Sequence, residues 1–152
     1  AVNDNVWDVI MVGFNLLNQS ARERVLKKCR ENNIGVLDMF AVRRTLQSPE
    51  NLHPALTSLA VNGKITWMPP EVPRLLPALD PGEESKSLPD LAYRFVKSEP
   101  GIHTVLFGTG NPVHLHDNIR SLERPDLTAG TVDHLRRVFE DLDFLSGQEN
   151  YS

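Results

Sequence analysis

The sequence predicts an α/β fold in which short parallel strands are joined by helices. Three observations point to it. Apolar runs of strand length occur at residues 8–14, 36–42 and 103–107, nearly continuous in the manner of strands covered on both faces. Each is followed by a segment whose apolar residues return every three or four positions, the helical period. Glycine, proline and capping residues stand between the two kinds of segment, where the chain must change direction. Such alternation implies parallel strands joined by right-handed crossovers.

The first run contains Val9, Ile10, Met11, Val12 and Phe14, and a turn at 15–20 follows. Ala21, Val25 and Cys29 then recur every fourth residue among Arg, Glu and Lys, predicting a helix over 21–32 that Asn33 and Gly35 close. The second strand runs to Val42 and delivers Arg43 and Arg44. Ser48, Pro49 and Glu50 make a helix start, with a capping hydroxyl, a proline at the first position and a carboxylate that suits the dipole. Behind them Leu52, Ala55, Leu56, Leu59 and Ala60 form one apolar stripe, and Gly63 ends the helix. Pro69, Pro70, Pro73, Pro77 and Pro81 crowd the next stretch, so 67–85 is predicted to be a loop or lid. Ser87, Leu88, Pro89 and Asp90 start another helix, with Leu88, Leu91, Ala92, Phe95 and Val96 on one side and Pro100 and Gly101 at its end. The third strand leads into a helix over 112–122, with Val113, Leu115, Ile119 and Leu122 apolar. A last helix over 130–145 carries Val132, Leu135, Val138, Phe139, Leu142 and Leu145.

Three parallel strands leave two unpaired edges, which invites pairing with something else. More strands are therefore expected, either from an upstream part of a longer chain or from a second copy. The absence of an initiating Met is compatible with the former.

Composition narrows the possible functions. The chain has 152 residues, 40% of them hydrophobic, and is the size of one domain. Sixteen basic residues against twenty acidic ones give a net charge of −4, so no nucleic-acid or acidic-membrane partner is expected. No apolar run approaches the roughly 20 residues of a membrane span, and the start does not resemble a signal peptide. Cys29 is the only cysteine, which suits a reducing, cytoplasmic setting.

The most chemically suggestive stretch runs from 104 to 115. An apolar strand passes through Gly108 and Gly110 into a helix that Asn111 can cap and Pro112 can start. Glycines that free the backbone, followed by exposed helix N–H groups, suit a phosphate. The same pattern also makes an ordinary strand-to-helix turn.

These residues resemble the aldo-keto reductases, specifically the C-terminal part of their (β/α)8 TIM barrel, and the resemblance covers nearly the whole chain. Residues 8–17 look like the sixth strand and its Asn-Leu-Leu exit, 35–44 like the seventh strand, and 104–118 like the eighth strand and its loop. The stretch from Gly108 to Asn118 is the most specific, and it is closer to the aldose-dehydrogenase-like branch. The resemblance implies that Gly108, Thr109, Gly110 and Asn111 hold the adenosine phosphates of NADP or NAD, with Asp117 and Asn118 at the adenine. His114 stands where many members place an Arg for the 2′-phosphate, and imidazole is a pH-dependent substitute, so the choice between NADP and NAD stays open. Met39 or Phe40 falls where an aromatic ring stacks on nicotinamide, and Met11 where a Gln commonly bonds the carboxamide. The family's catalytic Tyr, Lys, Asp and His are borne on the first four strands, which are absent from this chain. Tyr93 and Tyr151 lack the matching context. No catalytic residue is expected here, and the substrate of a full-length form would be an aldehyde, an aldose or a related alcohol. The alternative is a truncated barrel acting as a binding or self-associating module.

Other features have plain readings. His114 and His116 point about 200° apart on a helix and make a poor chelating pair, while His53, His103 and His134 share no ligand spacing; no metal is expected. Cys29 fits a core thiol. Arg43 and Arg44 follow a strand end and could meet pyrophosphate or substrate, or be a solvated pair. Trp67 could line a pocket or anchor its loop. Glu83 and Glu84 read as exposed loop, and Glu140, Asp141 and Asp143 as the wet side of the last helix.

Overall fold

A computed structural model describes residues 2, 6–82, 84–140 and 142. Three strands, β1 (Val9–Gly13), β2 (Gly35–Met39) and β3 (Thr104–Val105), form a parallel sheet in the order β1-β2-β3. Val9 pairs with Gly35 and Gly13 with Met39, while only Leu37 and Asp38 pair with β3. The third strand is shorter than its apolar run, although His103 N–H donating to Val36 O (3.0 Å) and Leu106 N–H donating to Asp38 O (2.8 Å) extend its contact with β2.

The helical prediction over 21–32 is met by one continuous helix whose first turn, Arg22–Leu26, is π-wound before α1 (Lys27–Glu31). Ser48 caps α2 (Pro49–Val61) through Asn51 N–H, and Ser87 caps α4 (Leu88–Lys97) through Asp90 N–H, as the two Ser-initiated starts predict. The proline-rich stretch differs from its expected loop, because α3 (Val72–Leu79) lies within it. Pro73 occupies the first turn, where its missing N–H is not needed, and burial of Leu75 and Leu79 four residues apart outweighs the break at Pro77. Trp67 packs against the core, which is the anchoring alternative.

Buried residues of α1, α2, α3, α4 and α6 (Ala129–Phe139) form one core, in which α1 packs on β2 and α4 on β3, with Phe14, Phe95 and Phe139 among its largest fully buried side chains. Phe14 and Phe95 stack with ring centroids 5.9 Å apart. Cys29 is buried within it. One sheet face corrects the sequence reading of strands covered on both sides: Val9 is 52% and Met11 53% exposed. Apolar character on both faces of a strand reports what the fold can cover, and here one face has no cover among the described residues. A similar correction applies to α5 (Pro112–Glu123), whose Val113, Leu115 and Ile119 are exposed; its one buried residue is Ser121.

The last helix ends at Phe139, short of its predicted 130–145: Leu142 is buried but stands beyond the helix, while Asp141, Asp143 and Leu145 lie outside the described residues, as do Glu83 and Tyr151. Glu84 is not a solvated loop residue. It accepts hydrogen bonds from Thr128 N–H (3.2 Å) and the Thr131 hydroxyl (3.2 Å) and faces Arg94 at 3.5 Å. Burial raises its carboxyl pKa, but these bonds and the Arg94 charge outweigh burial and hold it below the usual value.

Candidate functional site

The segments leaving the C-terminal ends of β2 and β3 meet around a cavity of about 610 Å³. Met39, Phe40, Arg43 and Arg44 line it from the β2 side, and Leu106, Phe107 and Gly108 from the β3 side. A second cavity of about 310 Å³ is lined by Ser87, Pro89, Thr109, His114, Asp117 and Asn118. Val42, Gln47, Tyr93 and Gly108 belong to both walls, so the two spaces adjoin, and together they are termed the groove. Its position outside the carboxyl ends of parallel strands is where α/β folds bind ligands, and each cavity has the size of a small-molecule site.

Local structure fixes both ends of this groove. Phe40 leaves β2 with φ of +76°, a conformation costly for a bulky residue. The buried Asn15 holds it there by donating from Nδ2 to Phe40 O at 3.1 Å, while Asn15 Oδ1 accepts Leu17 N–H (2.9 Å) and Asn18 N–H (3.0 Å). The Arg43 guanidinium lies 4.1 Å from the Phe40 ring centroid, a cation–π contact. At the other end Asn111 caps α5, its Oδ1 accepting Val113 N–H at 2.9 Å, and Thr109 Oγ1 accepts Asn111 N–H at 3.1 Å. The side-chain cap thus already uses one of the helix-start donors expected to be free for a phosphate.

Gly110 lies at a bend, but neither Gly108 nor Gly110 is held there by steric need. Neither has a left-handed φ, and the space where a Cβ would stand is open at both. The protein's own packing does not require glycine at either position. Open space over bare backbone is what a closely approaching ligand needs.

The structure brings Gly108, Thr109, His114, Asp117, Asn118, Met39, Phe40 and Arg43 into the groove wall. Gly110 and Asn111 line neither cavity. His114 and Asp117 are exposed, and Asp117 pairs loosely with Arg120 at 3.9 Å. Met11 lies on the open sheet face and does not line either cavity. Sequence reasoning missed Gln47, Ser87, Pro89 and Tyr93 as groove residues. Ser87 and Pro89 carried only a helix-start signal, and Tyr93 is one position off the apolar stripe of α4. Among the described residues no group of three or more His, Cys, Asp or Glu is placed to hold a metal, and no helix is long and apolar enough to cross a membrane.

Three parallel strands with flanking helices and a groove at the strand C-termini define part of a (β/α)8 barrel at its binding end. The sequence profile of the Aldo/keto reductase family matches residues 4–140, and the chain belongs to that family. Among solved structures it resembles the aldo-keto reductase AKR11C1 from Bacillus halodurans. To the apo form the TM-score is 0.59 at 15% identity, covering 93% of this chain and 47% of that one. To the holo form the TM-score is 0.59 at 15% identity, covering 93% and 46%. The chain therefore spans about half the length of the solved structures it resembles. No curated protein matches it significantly.

Proposed function

We propose that this chain is the cofactor-holding, C-terminal part of an NAD(P)-dependent oxidoreductase of aldehydes, aldoses or related alcohols, and that it does not itself carry the catalytic Tyr, Lys, Asp and His. The carrying observation is a pair of adjoining cavities, one lined by Phe40 and the other by Asp117 and Asn118, with the open backbone of Gly108 in the wall of both. A nicotinamide dinucleotide has the matching layout of two flat bases joined through phosphates. Bound there, it would supply hydride chemistry.

The residues then divide by position. Phe40 and Met39 meet the nicotinamide end, and Arg43 offers a fixed positive charge to the phosphates. Gly108, Thr109, Gly110 and Asn111 shape the loop that the adenosine phosphate crosses. His114 stands near any 2′-phosphate, and Asp117 and Asn118 face adenine. The buried Cys29 suits a cytoplasmic setting.

Calorimetric titration with NADP and NAD tests the reading. A Cβ at Gly108 would meet no protein atom within 4 Å and would stand in the groove, so Gly108→Val is expected to weaken NADP binding at least tenfold with little change in thermal stability. Unchanged affinity would remove the loop from the site.

A second reading, a non-catalytic self-associating module, is favoured by the exposed apolar sheet face at Val9, Met11 and Leu106. It expects a dimer or larger species by size-exclusion chromatography with light scattering. A well-folded monomer would rule it out.

A further inference from the structure

Tyr93 stands apart from the other residues of the groove. It comes from the middle of α4, whose apolar side chains Leu88, Leu91, Ala92, Phe95 and Val96 build the core, and it is only 4% exposed. Its ring meets Phe107 edge to face, with centroids 5.8 Å apart. Nevertheless it belongs to the walls of both cavities, in the stretch where they join. Tyrosines that line a cavity normally give their hydroxyl a partner. Among the described residues no hydrogen bond to the Tyr93 hydroxyl is seen, and burial of the residue raises its pKa to about 12.

We propose that the Tyr93 hydroxyl is a ligand-binding donor at the waist of the groove, where it takes an oxygen of the dinucleotide's pyrophosphate. The assignment rests on the cofactor reading above and adds to it a residue that is neither on the glycine loop nor at a strand end. The geometry selects this part of the ligand. If one flat base lies toward Phe40 and the other toward Asp117 and Asn118, the linking phosphates cross the stretch shared by both cavities, where Tyr93, Gln47 and Gly108 stand together. The chemistry agrees: a phenol held protonated far above neutrality can always donate, and it donates to an anion without bringing a second charge into a buried wall. An unpaired hydroxyl in the free protein would then gain its partner when ligand arrives. Tyr93 is a binding residue here, not a proton donor to substrate.

Tyr93→Phe tests this, because it keeps the ring against Phe107 and removes only the hydroxyl. Three probes are titrated into the full chain by calorimetry: NADP, ADP and adenosine 2′-monophosphate, the last lacking a pyrophosphate. The expected result is about tenfold weaker binding of NADP and ADP, the scale of a hydrogen bond to a charged group, with adenosine 2′-monophosphate within twofold of wild type. Thermal unfolding of the free variant should be unchanged or slightly higher, since no bond is lost. If wild type binds NADP and the variant binds it equally well, the proposal is overturned while the cofactor reading stands. A variant that melts lower and loses all three probes alike would make Tyr93 a packing residue and likewise overturn it. If wild type binds neither NADP nor NAD, the cofactor reading fails, and this assignment fails with it.

Discussion

Asp38→Asn is expected to remove most of a steep pH dependence from the stability of this fold. Asp38 sits in β2, fully buried, with Oδ1 accepting Phe14 N–H at 2.8 Å and Oδ2 buried without a hydrogen-bond partner among the described residues. Burial pushes its pKa up to about 8, against the opposing pull of the Phe14 N–H. An unfolded aspartate releases its proton near pH 4. The folded chain therefore holds one more proton than the unfolded chain from about pH 4 to about pH 8, and its stability falls as pH rises through that window. The contribution is fully present below it and lost above it. Between pH 5 and pH 8 the loss should be roughly 4 kcal/mol, a large part of the stability of an ordinary domain. Asn keeps an oxygen for Phe14 N–H and has no proton to release. Urea unfolding of both proteins at pH 5 and pH 8.5 should show the variant gaining on wild type by about this amount. Parallel pH profiles would mean that the Asp38 carboxyl is solvated or paired in solution.

The second large effect is expected at Glu99. This carboxylate is 3% exposed and receives Arg22 Nε (2.9 Å) and a second Arg22 nitrogen (2.7 Å), with Arg136 at 3.2 Å. Arg22 also donates to Gln19 Oε1 at 2.8 Å, and Gln19 Nε2 reaches Leu16 O (3.2 Å) and Leu135 O (3.3 Å). The cluster ties the chain after β1, the end of α4 and α6 into one unit, with Arg22 also 5.4 Å from the Phe14 ring centroid. Glu99→Gln leaves two guanidinium groups facing a neutral amide. Breaking a buried pair on one side costs about 3–5 kcal/mol, and the partial exposure of both arginines brings the expectation to about 2–3 kcal/mol. Chemical denaturation measures it. A change below about 0.5 kcal/mol would show that water replaces the carboxylate and that the cluster is not a structural tie.

Much of the architecture was legible because it depends on local rules. Ser48 and Ser87 cap the helices they introduce, and Asn111 does the same for α5, because a side-chain oxygen two or three residues before a free N–H needs no distant partner. The helix through the proline-rich stretch was not legible. Prolines argue locally for a loop, and what decided otherwise was burial of Leu75 and Leu79 against elements distant in sequence. The π-wound turn at Arg22–Leu26 had no sequence signal. Asp38 did not stand out either, since one acid in an apolar run does not reveal which face it occupies.

The candidate site shows the same division. The sequence by itself determined the three strands and every α-helix but α3, the glycine loop with its capped helix, and the residues that carry the family resemblance. These rest on spacing, capping and residue type, which act over a few positions. Only the tertiary structure decided that the residues after β2 and β3 share one groove, that Gly108 and Gly110 are open rather than sterically required, and that Tyr93 and Gln47 stand where its two cavities join. It also decided that one sheet face is uncovered among the described residues. Those facts depend on which surfaces approach across tens of residues of chain, and burial, unlike helical period, belongs to the assembled fold.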